Sequence, residues 1–205
     1  MKNIASLLFL AIFMISCSSD SSITEIDSDK VETSTITEEE LQFFNEKGTQ
    51  ISVESQQLLG KNLVGALNEG GTIHALSFCK TNAISLTNSK IEEYNVEIKR
   101  ATDLARNPDN YANKKELEQI QYYKNLVAEG KTGEDITPSI EVDGDKIYYY
   151  RPIFTNEMCL QCHGVENEKI TPETLKAIAE NYPNDNATGY GTDEIRAVWS
   201  ITFER

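Results

Sequence analysis

Apolar residues in the first half of the chain recur at spacings of three and four, as expected for amphipathic helices. Thr37 followed by Glu40 matches a helix-starting capping box. The pattern then predicts a long helix up to the pair Gly70-Gly71, and its apolar positions are Ile51, Leu58, Leu59, Leu63, Val64 and Leu67. A second helix is predicted from the glycine pair to Asn88, with Leu76, Cys79, Ala83 and Leu86 on one face.

The second half of the chain is dominated by alternating patterns, which indicate strands. Tyr94, Val96 and Ile98 alternate with polar residues and predict a half-buried strand. Residues 138–142 and 146–153 predict a hairpin that turns across Asp143-Gly144. A last strand is predicted at the C-terminus, where one face carries Ile195, Ala197, Trp199, Ile201 and Phe203.

Two further helices are predicted between these strands, at residues 114–128 and 172–181, and turn-forming residues at 106–110 predict a loop. Helices followed by antiparallel strands with inserted helices are typical of an α+β fold with a meander-like sheet. We therefore predict one α+β domain over residues 38–205, long enough to bury a core of its own.

The N-terminus has the features of an export signal. Lys2 precedes an apolar run over residues 4–15 that is too short to span a bilayer, and Met14-Ile15-Ser16-Cys17 follows. Residues 1–16 resemble a bacterial lipoprotein signal peptide, with Cys17 as the lipidated residue; an ordinary secretory signal is the alternative. Residues 17–37 are rich in Ser, Thr, Asp and Glu and predict a tether. We expect an exported, lipid-anchored protein on a bacterial membrane, facing the periplasm or the cell surface.

The net charge of −14 narrows the classes of partner. An acidic surface argues against binding to nucleic acid and against electrostatic docking on anionic lipid. It would favour a basic redox partner, although simple solubility is the better explanation of the acidic surface.

Cys159-Leu160-Gln161-Cys162-His163 is a CxxCH motif, the spacing at which two cysteines attach a haem and the next histidine ligates its iron. A redox dithiol would require a βαβ context, and a zinc site would require a second pair of ligands. The sequence has neither, so the motif predicts one covalently attached haem c.

The sequence offers more than one option for the sixth ligand of the haem iron. Cys79, His74, a lysine or an open position are the options, since His74 is the only other histidine. His74 lies five positions before Cys79, which places them about 140° apart around a helix, so both cannot face one iron. Cys79 lies on the apolar face between small residues and is the preferred candidate.

Several segments together resemble the Tll-type c-haem domain family. They are residues 74–83 around Cys79, the loop 106–110, Arg151-Pro152-Ile153, the CxxCH motif with Gly164, and residues 189–196. The resemblance covers roughly residues 40–205 and implies a PAS-like fold in which two long N-terminal helices pack on a covalent haem.

The resemblance also implies site residues: His163 and Cys79 as the axial pair, and arginines for the haem propionates. Arg100, Arg106, Arg151 and Arg196 are the candidates. Ala197 replaces a glycine common in the family, so the propionate contacts are the part of the resemblance that this departure affects.

Two functions follow from these expectations. The protein is either a sensor of redox state or of a diatomic gas that signals to a partner protein, or a low-potential electron carrier that serves a redox partner. A haem peroxidase and a cytochrome c′-like protein with an open distal site are the alternatives. We expect no catalytic residues.

Overall fold

The computed structural model describes residues 36–205, which form a four-stranded antiparallel sheet with helices packed on both faces. The α+β class predicted from the sequence is confirmed. The predicted signal peptide, Cys17 and nearly all of the tether lie outside the described residues. Within residues 36–205, none of the helices contains a stretch long and apolar enough to cross a membrane.

Helix α1, Glu38–Tyr94, is two helical arms joined at the glycine pair. Its start is the predicted capping box, in which the Thr37 hydroxyl accepts a hydrogen bond from the Glu40 amide and the Glu40 carboxylate accepts one from the Thr37 amide. Gly70 (φ −155°) and Gly71 (φ 71°) leave the helical region. We refer to residues 38–69 as the first arm and to residues 72–94 as the second arm.

The chain reverses at Gly71, since the Tyr94 hydroxyl at the end of the second arm donates a hydrogen bond to Glu54 in the first. A continuous helix would place these residues about 60 Å apart, at 1.5 Å per residue. Lys90 also contacts Glu54, at 3.4 Å. The two arms therefore lie side by side, as the predicted break between two helices requires.

The prediction that the second arm ends at Asn88 and that a strand begins at Tyr94 is wrong. The helix continues to Tyr94, and Asn95 ends it in the left-handed conformation (φ 53°, ψ 52°). Strand β1 is Glu97–Ala101. The alternation of Tyr94 with Val96 does not report a strand, because Tyr94 is packed against the core as a helical residue.

The remaining strands are β2, Ser139–Asp143, β3, Lys146–Phe154, and β4, Ile195–Glu204. The sheet order is β1-β4-β3-β2 with all neighbours antiparallel, so the meander covers β2 to β4 and β1 joins at the far edge. The predicted hairpin is confirmed, and Gly144 adopts the positive φ (61°) that its tight turn requires.

A β-bulge interrupts β4 near its start. Ile153 pairs with Ala197 and Phe154 pairs with Ile195, which leaves Arg196 without a partner on β3. The bulge moves Ile195 to the core on the opposite face from Trp199, so the predicted single face of the last strand is wrong at this residue. Bulges redirect side chains in this way, often beside functional sites.

The shorter helices connect the strands. A single 3-10 turn at Pro108–Asn110 occupies the predicted loop, and α2, Lys114–Ala128, and α4, Pro172–Asn181, have the predicted bounds. The CxxCH motif forms a helix of its own, α3, Glu157–His163, directly after β3. The motif is therefore connected to the sheet by only two residues.

The core has two main parts, one on each face of the sheet. The first arm of α1 packs on one face, with Ile51 and Phe44 against Tyr149, Trp199 and Ile201. Helix α2 packs on the other through Ile120 and Tyr123. Helix α1 comes close to the sheet at Gly48, where a Cβ atom would lie 2.4 Å from the ring of Tyr149.

We predict that Gly48→Ala lowers the free energy of unfolding by about 1–3 kcal/mol, because the added methyl group has no room beside Tyr149. Gly65→Ala, in the same arm with open space around its Cβ, should raise it by about 0.5–1 kcal/mol. Urea unfolding of both variants measures the difference. Equal effects would contradict the close helix–sheet contact.

Candidate functional site

A cavity lies between α1 and the adjacent face of the sheet, and α3 forms one of its walls. The lining contains Cys79 from the second arm, together with Cys159, Cys162 and His163 from α3, whereas the described lining includes neither His74 nor a lysine. Apolar side chains of the first arm, Leu59, Leu63 and Leu67, form much of the remaining wall. The fold thus brings together residues separated by some 80 positions in the chain.

Helix α3 places the three residues of the motif on one side. Asn156 caps the helix, and its side-chain oxygen accepts hydrogen bonds from the amides of Met158 (3.0 Å) and Cys159 (3.2 Å). Residues three and four positions apart share a helix face, so Cys159, Cys162 and His163 can face the cavity together. The cap fixes where the helix starts and therefore which face the sulfurs occupy.

The orientation of His163 is set by a backbone carbonyl. Its Nδ1 lies 2.7 Å from the oxygen of Ala187, which can only accept, so Nδ1 carries the proton and donates it. The other ring nitrogen, Nε2, then keeps its lone pair, the state in which histidine binds a metal. Tyr190 packs edge-on against the imidazole, with ring centroids 6.4 Å apart.

Arg196, displaced by the bulge, places its Nε 3.3 Å from Nδ1 of His163. Both nitrogens are donors in the tautomer set by Ala187, so this contact is electrostatic and not a hydrogen bond. Burial, followed by the positive charges of Arg196 and Arg106, holds the pKa of His163 well below its usual range. The imidazole is therefore neutral at physiological pH.

Three of the four candidate arginines line the cavity: Arg100, Arg106 and Arg196. Arg106 is paired, with its Nε 3.0 Å from Asp185, whereas the Nε of Arg100 is buried and has no hydrogen-bond partner among the described residues. The described lining contains no Asp or Glu. Arg151 lies on β3 opposite Trp199 and is not part of the lining.

The two candidates for the sixth ligand occupy different environments. Cys79 lines the cavity, and burial raises the pKa of its thiol, with Arg100 and Arg106 opposing the effect. His74 is half exposed, and its Nε2 lies 3.5 Å from Oε2 of Glu69. It is not among the lining residues. Of the two, only Cys79 is on the cavity side of the second arm.

Some of the groups that shape the site carry no signal in the sequence. The Ala187 carbonyl could not be recognised, because a backbone acceptor has no residue preference. Asp185 and Tyr182 lie just after α4 in a segment that carries no recognisable motif, and Tyr182 lines the cavity. Gln56, another lining residue, accepts a hydrogen bond from the indole of Trp199 at 3.1 Å.

The side chains that meet in the cavity fit a covalently attached haem. Two thiols at CxxC spacing, a neutral imidazole and a further thiol on another wall are the groups that would attach and ligate such a haem. Arg100 and Arg196, for which the described residues supply no ion pair, complement carboxylate groups such as the propionates of a porphyrin. The apolar wall of the first arm suits the flat face of the ring.

The architecture and the cavity define a class: an α+β domain in which a CxxCH helix closes a cationic, apolar-walled cavity under an antiparallel sheet. Residues 19–203 match the Tll0287-like family, and the chain belongs to that family. The fold is similar to the crystal structure of the cyanobacterial heme-protein Tll0287, with a TM-score of 0.59 and 18% sequence identity. The match covers 83% of this chain and 98% of that chain. None of the curated proteins compared with the chain matches it.

In protein produced without haem attachment, we predict slow alkylation of Cys162. Burial raises the pKa of its thiol to about 11 from an ordinary 9.0, so below pH 9 the reactive thiolate is about 100-fold scarcer than in the unfolded chain. The rate should rise about tenfold per pH unit up to that pKa. Iodoacetamide labelling of a variant that keeps only Cys162 measures it.

The same variant in denaturant is the control for this labelling experiment, since unfolding removes the burial. Equal rates in the folded and unfolded protein would show that Cys162 does not face an enclosed cavity.

Proposed function

We propose that this protein is an exported c-type haem protein that carries one haem in the cavity between α1 and the sheet. Cys159 and Cys162 attach the porphyrin through thioether bonds, and His163 is an axial ligand. One observation carries the proposal: the CxxCH helix faces a cavity whose wall also holds a thiol and cationic arginines. When bound, the haem supplies one-electron redox chemistry.

Cys79 is the proposed second axial ligand. It lines the cavity from a different helix than His163, whereas His74 is half exposed and lies near Glu69. A thiolate ligand favours ferric over ferrous iron, so the midpoint potential should be low. A low midpoint potential excludes a high-potential carrier. Ligation by Cys79 also weighs against a peroxidase or a cytochrome c′-like protein, because both need an open coordination position on the iron.

Arg100 and Arg196 are the proposed partners of the haem propionates. Both line the cavity, and neither forms an ion pair within residues 36–205. Arg106 is committed to Asp185 and to the carbonyl of Cys162. Arg151 lies outside the lining, so we assign it no contact with the haem.

The proposed role is low-potential electron transfer or the sensing of redox state or of a diatomic gas. The N-terminal pattern around Cys17 supports a lipid anchor on a bacterial membrane, facing the periplasm or the cell surface. A redox partner or a sensor protein would receive the signal or the electron, and nucleic acid is not an expected partner. Carbon monoxide binding after reduction favours sensing, and an unchanged ligand set in both redox states favours a carrier.

Protein from a host competent in cytochrome maturation should contain one covalently bound haem, which remains on the chain in a denaturing gel. Cys79→Ala should abolish thiolate charge-transfer bands and convert low-spin ferric iron to high-spin, because it removes a ligand without touching the attachment site. Absorption spectroscopy of both redox states measures this result.

His74→Ala is the matched control for Cys79→Ala, since it removes the other ligand candidate from the same arm. Its spectrum should be that of the wild type. A low-spin spectrum that survives Cys79→Ala would assign the ligand elsewhere, and a colourless wild-type protein would refute haem binding itself.

Lipid anchoring is tested at the other end of the chain. Cys17→Ser should move the protein from the membrane fraction to the soluble fraction, because a serine cannot accept the lipid. Fractionation with immunoblotting measures the distribution, and Ser18→Ala serves as the control. Retention of Cys17→Ser in washed membranes would contradict the lipid anchor.

A further inference from the structure

A buried ion pair lies behind the CxxCH helix. The guanidinium of Arg106 contacts both carboxylate oxygens of Asp185, through Nε and Nη2 at 3.0 Å each. The two side chains are equally buried, with 9% of each exposed. Arg106 also donates from Nη2 to the carbonyl of Cys162 at 2.6 Å, so the pair is connected directly to α3.

Asp185 also connects its ion pair with Arg106 to Ala187, the residue whose carbonyl orients His163. Its Oδ1 accepts a hydrogen bond from the amide of Ala187 at 3.2 Å, and the carbonyl of that residue accepts the proton of His163 Nδ1 at 2.7 Å. One carboxylate therefore engages Arg106 and the residue that faces the imidazole.

Backbone contacts hold the segment 182–190 around the end of α3. The amide of Asn186 donates to the Ala105 carbonyl at 3.2 Å, and the amide of Tyr190 donates to the His163 carbonyl at 2.9 Å. Between these contacts, Asp185 is the side chain that binds the Ala187 amide, and on the other side of that residue the Thr188 hydroxyl donates to Glu166 at 2.9 Å.

We propose that Asp185 is a positioning residue for His163: clamped by Arg106, it fixes the Ala187 carbonyl so that the imidazole keeps a short Nδ1–H···O bond. The proposal rests on the proposed function, because it concerns the ligand strength of His163 toward the haem iron. It gives Arg106 the task of holding Asp185 and α3 together.

The hydrogen bond to Ala187 makes the imidazole a stronger electron donor, since partial proton donation from Nδ1 increases the basicity of Nε2. A stronger donor stabilises ferric iron more than ferrous iron. Loosening the carbonyl should therefore raise the midpoint potential and expose the Nδ1 proton to solvent.

The experiment compares haem-loaded wild type with Asp185→Asn and with the double variant Arg106→Gln/Asp185→Asn. Two quantities are measured: the solvent exchange rate of the His163 Nδ1 proton by NMR, and the midpoint potential by spectroelectrochemistry. In the double variant we expect exchange at least tenfold faster and a potential raised by a tenfold shift in the redox equilibrium, about 59 mV for one electron.

The double variant separates the effect of the position of the Ala187 carbonyl from the effect of the charges on Arg106 and Asp185. Asp185→Asn alone leaves the charge of Arg106 uncompensated, which raises the potential whatever the geometry, whereas the double variant removes both charges. Asp109→Asn, an exposed site three residues along the chain from Arg106, controls for net charge and should behave as wild type.

A double variant with the Nδ1 proton exchange rate and the midpoint potential of the wild type would overturn the proposal. Any effect of Asp185→Asn alone would then be purely electrostatic. If the double variant does not load haem, Asp185→Glu takes its place. It keeps the charge but displaces the contact to Ala187, and faster exchange is again expected, with a wild-type rate overturning the proposal. A wild-type protein without haem would refute the proposed function instead.

Discussion

Arg100 and Arg196 reach a common cavity from adjacent strands, and the charge that they bring there is the constraint on which the site depends. A buried charge is costly unless it is paired. Neither guanidinium has an ion-pair partner within residues 36–205, and the described lining contains no Asp or Glu, although the whole chain carries −14. An anionic occupant would supply the missing compensation. Binding of such an occupant to the folded state alone would also stabilise the fold.

The two walls of the cavity are held by contacts outside it. Gly48 allows the first arm of α1 to approach Tyr149, and Gly71 returns the second arm along the first, which brings Cys79 to the cavity. On the sheet side, the bulge in β4 turns Arg196 to the same face. Two glycines and one extra residue in a strand therefore determine the space for the cofactor, and of these three only Arg196 contacts it in the proposed arrangement.

The parts of this structure that could be predicted from the sequence are those that local patterns determine. The capping box at Thr37, the glycine break, α2, α4 and the hairpin all depend on residues a few positions apart. The motif of α3 was recognised because its spacing is itself chemical information. The end of the second arm at Tyr94 could not be predicted in this way. A buried tyrosine on a helix and a buried tyrosine on a strand give the same alternation of apolar and polar residues over three positions.

The unpredicted features of the site arise from tertiary contacts. Arg196 faces the cavity only because β3 and β4 change register, and a bulge depends on the pairing of two distant strands. The pair of Arg106 with Asp185 joins residues 79 positions apart. The arginines were expected near the haem from the family resemblance, but that resemblance could not separate Arg106, which is engaged by Asp185, from Arg100, whose Nε has no partner.

The environment of Cys79 bears on the choice between sensor and carrier. A carrier needs the same ligands in both redox states, whereas a sensor can use the loss of one. Burial raises the pKa of Cys79 and so favours the neutral thiol, while Arg100 and Arg106 favour the thiolate. Burial is the larger of these effects. Since ferrous iron attracts a thiolate less strongly than ferric iron, a haem held by Cys79 would meet a surrounding that favours the neutral thiol on reduction, and this supports the sensor among the two proposed roles.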